Sequence, residues 1–139
     1  MKMRLALFLS LAGCLVFAAS PAVAGKVTPT ITLNQVMSGA LATQSSPSLG
    51  SWVTFTTVIP TNVRNPRVEV LCYQNGELVY GEAGDPSHDF ELGGNPDRGS
   101  IWRTTLGPAS CVANLYFFTW KAGEPAAVYL ATTSFEAAG

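Results

Sequence analysis

The chain is poor in the residues that most catalytic and metal sites require. Its 139 residues include one histidine and three cysteines, and only 12% of the residues are charged. The sequence has no C-x-x-C pair and no G-x-S-x-G motif, so it has neither the spacing of a zinc or redox pair nor that of a hydrolase nucleophile. Basic residues are also scarce: after residue 24, six basic residues stand against nine acidic ones, a net charge of −3. This balance argues against nucleic-acid binding, which needs a basic surface.

The sequence also lacks an apolar segment that is long enough to span a membrane. The longest apolar run, at residues 5–19, is shorter than the roughly 20 residues that a bilayer requires. Lys2 and Arg4 precede this run, and a Ser-Pro pair and the motif Ala22-Val23-Ala24 follow it. This order is typical of a secretory signal peptide. It predicts a signal peptide at residues 1–24, cleavage after Ala24, and a protein secreted to an extracellular or periplasmic compartment.

A second interpretation of the same segment rests on Cys14. Residues 11–14 resemble a bacterial lipobox, in which the cysteine is lipidated and tethers the protein to the envelope. That reading leaves only residues 5–10 as the apolar region of the signal, and the chain stays apolar after Cys14. The anatomy of the segment therefore favours cleavage after Ala24 over lipidation.

The remaining chain has the length of one domain and no stretch of helical periodicity. Residues 25–50 are predicted to contribute a first strand and a loop, and residues 51–139 the rest of an all-β domain. The Asn75-Gly76 pair predicts a tight hairpin. Strands are expected at residues 27–33, 52–59, 67–73, 77–80, 101–106, 111–120 and 127–135, with a further short strand at 90–92 left open.

This pattern of about seven short strands resembles the small immunoglobulin-like domains of secreted bacterial and phage proteins. The resemblance covers residues 50–135 and implies an antiparallel β-sandwich. It departs from antibody domains, because the third strand holds Cys72 and no tryptophan.

Removal of the signal peptide leaves two cysteines, Cys72 and Cys111. In the strand order that the resemblance implies, Cys72 ends the third strand and Cys111 begins the sixth, and these strands are antiparallel neighbours. Cys72 shares a face with Val68 and Val70, and Cys111 shares one with Leu115. We therefore predict a disulfide within one sheet rather than between the two sheets.

Aromatic residues on the opposite face of the sixth strand form the first candidate binding surface. The candidate residues are Tyr116, Phe118 and Trp120, with Leu71 and Tyr73 from the third strand and Tyr129 and Phe135 from the last. Exposed aromatic patches mark interaction sites. Two readings stay open: the face binds a partner, or residues 26–50 or a β-bulge bury it.

The second candidate is an acidic loop with Glu82, Asp85, His88, Asp89, Glu91 and Asp97. Ser87, His88 and Asp89 are adjacent, so their side chains diverge, and they do not form a catalytic triad. The carboxylates lack the spacing of a calcium loop. No catalytic residue, metal or cofactor is predicted, and the protein is not expected to be an enzyme.

The expected function is that of an exported, non-enzymatic module that binds a protein, a cell-surface component or a glycan. The alternatives are a secreted inhibitor that presents residues 81–98 to an enzyme, an envelope-tethered lipoprotein, and a small hydrolase that uses His88.

Overall fold

The computed structural model describes residues 26–37, 46–94 and 101–139 of the chain. Within them the backbone forms seven strands, one 3₁₀ turn at Thr104–Leu106 and no α-helix. The strands are β1 (Thr30–Met37), β2 (Trp52–Val58), β3 (Arg67–Gln74), β4 (Glu77–Gly84), β5 (Phe90–Glu91), β6 (Ala109–Lys121) and β7 (Glu124–Ala137). The all-β prediction is confirmed. The predicted signal peptide, Cys14 and Asp97 lie outside the described residues.

The strands form two antiparallel sheets that pack against each other as a sandwich. One sheet has the order β1-β2-β5, and the other has the order β4-β3-β6-β7. β1 is an edge strand and begins directly after Pro29, three residues later than predicted; proline cannot donate a hydrogen bond to a sheet. β3 and β6 are central neighbours in the four-stranded sheet, so the two cysteine-bearing strands lie side by side.

The core lies between the sheets and is built from alternate residues of the strands. On β3, Val68, Val70 and Cys72 are fully buried, which matches the two-residue period of a strand. From the other sheet, the ring of Phe55 meets that of Phe90 edge-on, with centroids 5.8 Å apart. The short β5 therefore belongs to the core even though it pairs over only two residues.

The predicted disulfide is confirmed. Cys72 and Cys111 are directly opposite each other in the pairing of β3 with β6, and both are buried. The bond joins neighbouring strands of one sheet. It fixes the register of β3 against β6 and thereby determines which residues of both strands face outward.

Two tight turns close the hairpins of the four-stranded sheet. Asn75 and Gly76 have φ angles of 52° and 81°, the pair of positive values that a type I′ turn requires, so the predicted hairpin is confirmed. Ala122 and Gly123, between β6 and β7, have φ angles of 53° and 86°. Alanine is strained in this left-handed region, whereas asparagine and glycine adopt it readily.

The strand predicted at residues 101–106 is wrong. The N–H of Ile101 donates to the backbone of β4 at Val79 O, and the chain then enters the 3₁₀ turn. The reason is Gln74, the buried last residue of β3. Its Nε2 donates to Arg103 O at 2.9 Å and to Gly107 O at 2.7 Å, and its Oε1 accepts from Arg103 N at 3.0 Å. One amide thus satisfies backbone groups that a strand would pair with another strand.

Candidate functional site

The β6–β7 hairpin extends beyond the rest of its sheet. β3 begins at Arg67, which pairs with Tyr116, whereas β6 continues to Lys121 and pairs there only with β7. We call residues 117–128 the hairpin arm. Among the described residues, no strand of the four-stranded sheet pairs with the β6 side of the arm.

Four aromatic side chains lie together on the outer side of this hairpin. Tyr116 is buried, and its ring packs edge-on against Phe118 at 5.4 Å and at a tilt against Tyr129 at 5.7 Å. The outer members are open to solvent: Phe118 is 54% exposed, Tyr129 58% and Trp120 76%. We call these four residues the aromatic face. Tyr116 thus packs against two of the three exposed rings, those of Phe118 and Tyr129.

A β-bulge in β7 brings Tyr129 to this face. Leu115 pairs with Ala131 but Tyr116 pairs with Tyr129, so Leu130 is an extra residue in β7. The alternation of side chains in β7 is therefore reversed at the bulge, so that odd-numbered residues point outward before it and inward after it. Phe135 lies beyond the bulge and points inward, where its ring packs 6.1 Å from that of Phe55. Its predicted membership of the outer face is therefore wrong.

A row of hydrogen-bonded polar side chains borders the aromatic face. Asn114 Nδ2 donates to Glu69 Oε1 at 3.0 Å, and Thr132 Oγ1 donates to Asn114 Oδ1 at 2.8 Å. The row crosses β3, β6 and β7 two residues along β6 from the row of Arg67, Tyr116 and Tyr129, and the inward-facing Leu115 lies between them. Glu69, Asn114 and Thr132 were not among the predicted site residues. Asn114 lies two residues before Tyr116, so strand phase alone could have found it.

Tyr129 is electrostatically coupled to this polar row. The negative charge of Glu69 raises the pKa of Tyr129 above its usual 10.0, because it disfavours the phenolate. Desolvation adds to this shift, and a hydrogen bond from the phenol to the Glu69 carboxylate stabilises the neutral form further. The phenol thus remains a neutral hydrogen-bond donor throughout the physiological pH range.

Leu71 and Tyr73 lie on the same side of the sheet but apart from the aromatic face. They are half-buried and pair with Val112 and Ser110, on the far side of the polar row. The six predicted residues that remain once Phe135 is excluded therefore do not form one continuous apolar surface. Tyr116, Phe118, Trp120 and Tyr129 come together at one end of the sheet, and Leu71 and Tyr73 stand towards the other.

The acidic loop brings only part of its predicted set together. His88 Nε2 lies 3.1 Å from Glu82 Oε1, and Tyr80 donates its phenolic hydrogen to Glu82 Oε2 at 2.6 Å. The His88 ring also packs edge-on against Phe90 at 4.8 Å. A Cβ atom at Gly84 would come within 2.6 Å of this ring, so the glycine makes room for it.

The other acidic residues of the loop take separate positions. Asp85 O accepts a turn hydrogen bond from the N–H of His88, Asp89 is exposed, and Glu91 forms part of β5. In the part of the chain that the structure describes, no three His, Cys, Asp or Glu side chains are grouped closely enough to hold a metal ion. The side-chain hydrogen bond of His88 goes to a carboxylate and not to a hydroxyl nucleophile.

No helix among the described residues is long and apolar enough to cross a bilayer. Comparison with known proteins yields no matching family model, curated protein or solved structure.

Proposed function

We propose that the protein is an exported, non-enzymatic binding module with an immunoglobulin-like fold, and that its aromatic face contacts a protein, cell-surface or glycan partner. The observation that carries the proposal is the exposure of Phe118, Trp120 and Tyr129 on one side of a projecting hairpin. Tryptophan and tyrosine are enriched at the centres of interfaces, where a few large side chains supply most of the binding free energy.

The size of these side chains indicates how much free energy their burial against a partner could contribute. A large aromatic side chain buries at least about 150 Å² in a contact, which at about 25 cal/mol per Å² corresponds to about 4 kcal/mol before the costs of association. Trp120 is 76% exposed, so about three quarters of its area is still available to a partner. The polar row, at the Tyr116 end of the aromatic face, offers amide, hydroxyl and carboxylate groups for hydrogen bonds to a protein backbone or to sugar hydroxyls.

Export is proposed from the signal-like segment together with the disulfide. A bond between Cys72 and Cys111 persists in oxidising compartments and is rare in the cytosol. The intact mass of the protein recovered from producing cells tests this step. A chain that begins at Gly25 supports plain secretion, a lipidated chain that begins at Cys14 supports envelope tethering, and an uncleaved cytosolic chain contradicts export.

The binding proposal is tested by removing Trp120. Wild-type protein, Trp120→Ala and Trp52→Ala are compared on a glycan array and in affinity capture from surface extracts of the producing cells. Trp52 is the matched control, because it is also a partly exposed tryptophan, at 43%, but lies on the other sheet. Thermal unfolding of all three proteins shows whether each variant folds.

We expect folded Trp120→Ala to lose at least tenfold in binding, whereas Trp52→Ala binds like the wild type. Equal binding by Trp120→Ala and the wild type would contradict the proposed site. Unfolding of Trp120→Ala would show that the ring belongs to the core and would remove the main support for the proposal.

A further inference from the structure

We propose a second binding site, on the opposite side of the hairpin arm from the aromatic face, that takes a small amphiphile with an alkyl chain and a carboxylate. A cavity of about 640 Å³ opens there, lined mainly by apolar side chains. This volume is within the roughly 300–1,000 Å³ of small-molecule sites. The proposal is independent of the partner of the aromatic face.

The cavity follows from the unequal lengths of the strands. Phe117 and Val128 pair on the hairpin arm and face inward, beyond the point where β3 begins. The opposite wall is formed by the loop between β2 and β3, including Val63, and by Pro29 ahead of β1. Loops do not interdigitate with a strand pair as a second sheet does, so the described residues leave the end of the sandwich open between the two walls.

The chemistry of the walls indicates which class of ligand the cavity binds. Of the described residues that line the cavity, Lys26 alone is charged, and its side chain is exposed. An alkyl chain in the cavity would contact Phe117, Val128 and Leu130, and its carboxylate would meet the Lys26 ammonium in solvent. This arrangement orients an amphiphile with its anionic end outward.

A peptide segment fits the same walls less well. Its backbone N–H and C=O groups would need hydrogen-bond partners once buried. The polar side chains in the lining, apart from Lys26, are Thr61 and Asn62, both in an exposed turn. An alkyl chain requires no such partners, so the lining favours it over a strand from another protein or from a second copy of this chain.

Decanoate is the probe for the first test. Purified protein is titrated with decanoate below its micellar concentration and followed by heteronuclear NMR and calorimetry. Val128→Phe fills the cavity from the arm, and Val63→Phe fills it from the loop. Ala127→Phe is the matched control, because it adds the same ring to the adjacent, outward-facing residue of β7.

We expect saturable binding of decanoate by the wild type, with shifts at Phe117 and Leu130, and at least a tenfold loss in whichever filled variants fold. Ala127→Phe and Trp120→Ala should bind decanoate like the wild type. Absence of saturable binding, or equal binding by the filled variants, overturns the proposal. So does a wild-type dimer that dissociates in the filled variants, because a second copy would then occupy the cavity.

Lys26→Gln tests the orientation of the ligand. An exposed ion pair is weak, so we expect about a two- to fivefold loss of decanoate affinity and no change for decanol. An equal loss for both ligands, or none for decanoate, contradicts the role of Lys26 and with it the carboxylate specificity.

Discussion

Replacement of Gln74 by leucine tests how the structure holds the segment that sequence reasoning misassigned. The Gln74 side chain is 1% exposed and makes three hydrogen bonds to the backbone of Arg103 and Gly107. Each such bond contributes about 1 kcal/mol net, so their joint loss should lower the free energy of unfolding by about 3 kcal/mol. Leucine has a similar volume, so little of this loss would come from a cavity.

A loss of about 3 kcal/mol in the free energy of unfolding is large for a domain of this size. Small domains are stable by about 5–15 kcal/mol, and 1 kcal/mol corresponds to about 4 °C in Tm for roughly a hundred residues. Gln74→Leu should therefore unfold about 12 °C below the wild type. Gln74→Glu should cost at least as much at neutral pH, because a carboxylate cannot donate to the carbonyls of Arg103 and Gly107.

Urea denaturation followed by circular dichroism measures the loss, and hydrogen exchange of the Arg103 amide locates it. Asn114→Leu is the control, because Asn114 also bonds through its side-chain amide but lies half-buried on the outer side of the sheet. We expect Asn114→Leu to lower the free energy of unfolding by less than about 1 kcal/mol. A loss in Gln74→Leu no larger than the control, or unchanged exchange at Arg103, would refute this account of the 101–107 segment.

Three further predictions concern the four-stranded sheet. Substitution of both Cys72 and Cys111 by valine should lower the free energy of unfolding by about 4 kcal/mol, because the bond closes a loop with a 39-residue separation. A loss below about 1 kcal/mol in urea denaturation would show that the bond contributes little. Ala122→Asn should raise the unfolding free energy by about 1 kcal/mol, because it relieves the left-handed strain at φ 53°; no rise in the urea midpoint would contradict this. Glu69→Gln should lower the pKa of Tyr129 towards 10.0 in an NMR titration. Because Glu69 raises that pKa, the stability contributed by the pair is present below pH 10 and is lost as the pH rises through the pKa of Tyr129 in the folded protein. An unchanged Tyr129 pKa in Glu69→Gln would exclude the coupling.

Features that depend on neighbouring residues could be predicted from the sequence. The Asn75-Gly76 pair has the residue types that a type I′ turn requires, and the turn is present. The phase of β6 could also be predicted, because Cys111, Ala113 and Leu115 alternate inward without interruption. Together with the phase of β3 and the strand order that the immunoglobulin-like resemblance implies, this alternation predicted the disulfide.

Features that depend on distant contacts could not be predicted in this way. Tyr129 and Phe135 have the same parity in β7, and only the bulge at Leu130 sends one outward and the other inward. The segment 101–106 alternates like a strand, but Gln74, 29 residues before Arg103, binds its backbone. Exposure of the aromatic face also depends on how far β6 and β7 extend beyond the first residue of β3. The local sequence pattern does not specify this difference in strand length.

The central claim is that the aromatic face contacts the partner, and site-specific photocrosslinking tests it most directly. A photoreactive phenylalanine analogue is placed at Phe118, and in a control protein at Leu78, an apolar β4 residue of similar exposure. After irradiation with the surface extract, we predict a discrete crosslinked product from position 118 and none from position 78. No product from position 118, or equal products from both positions, would contradict the claim.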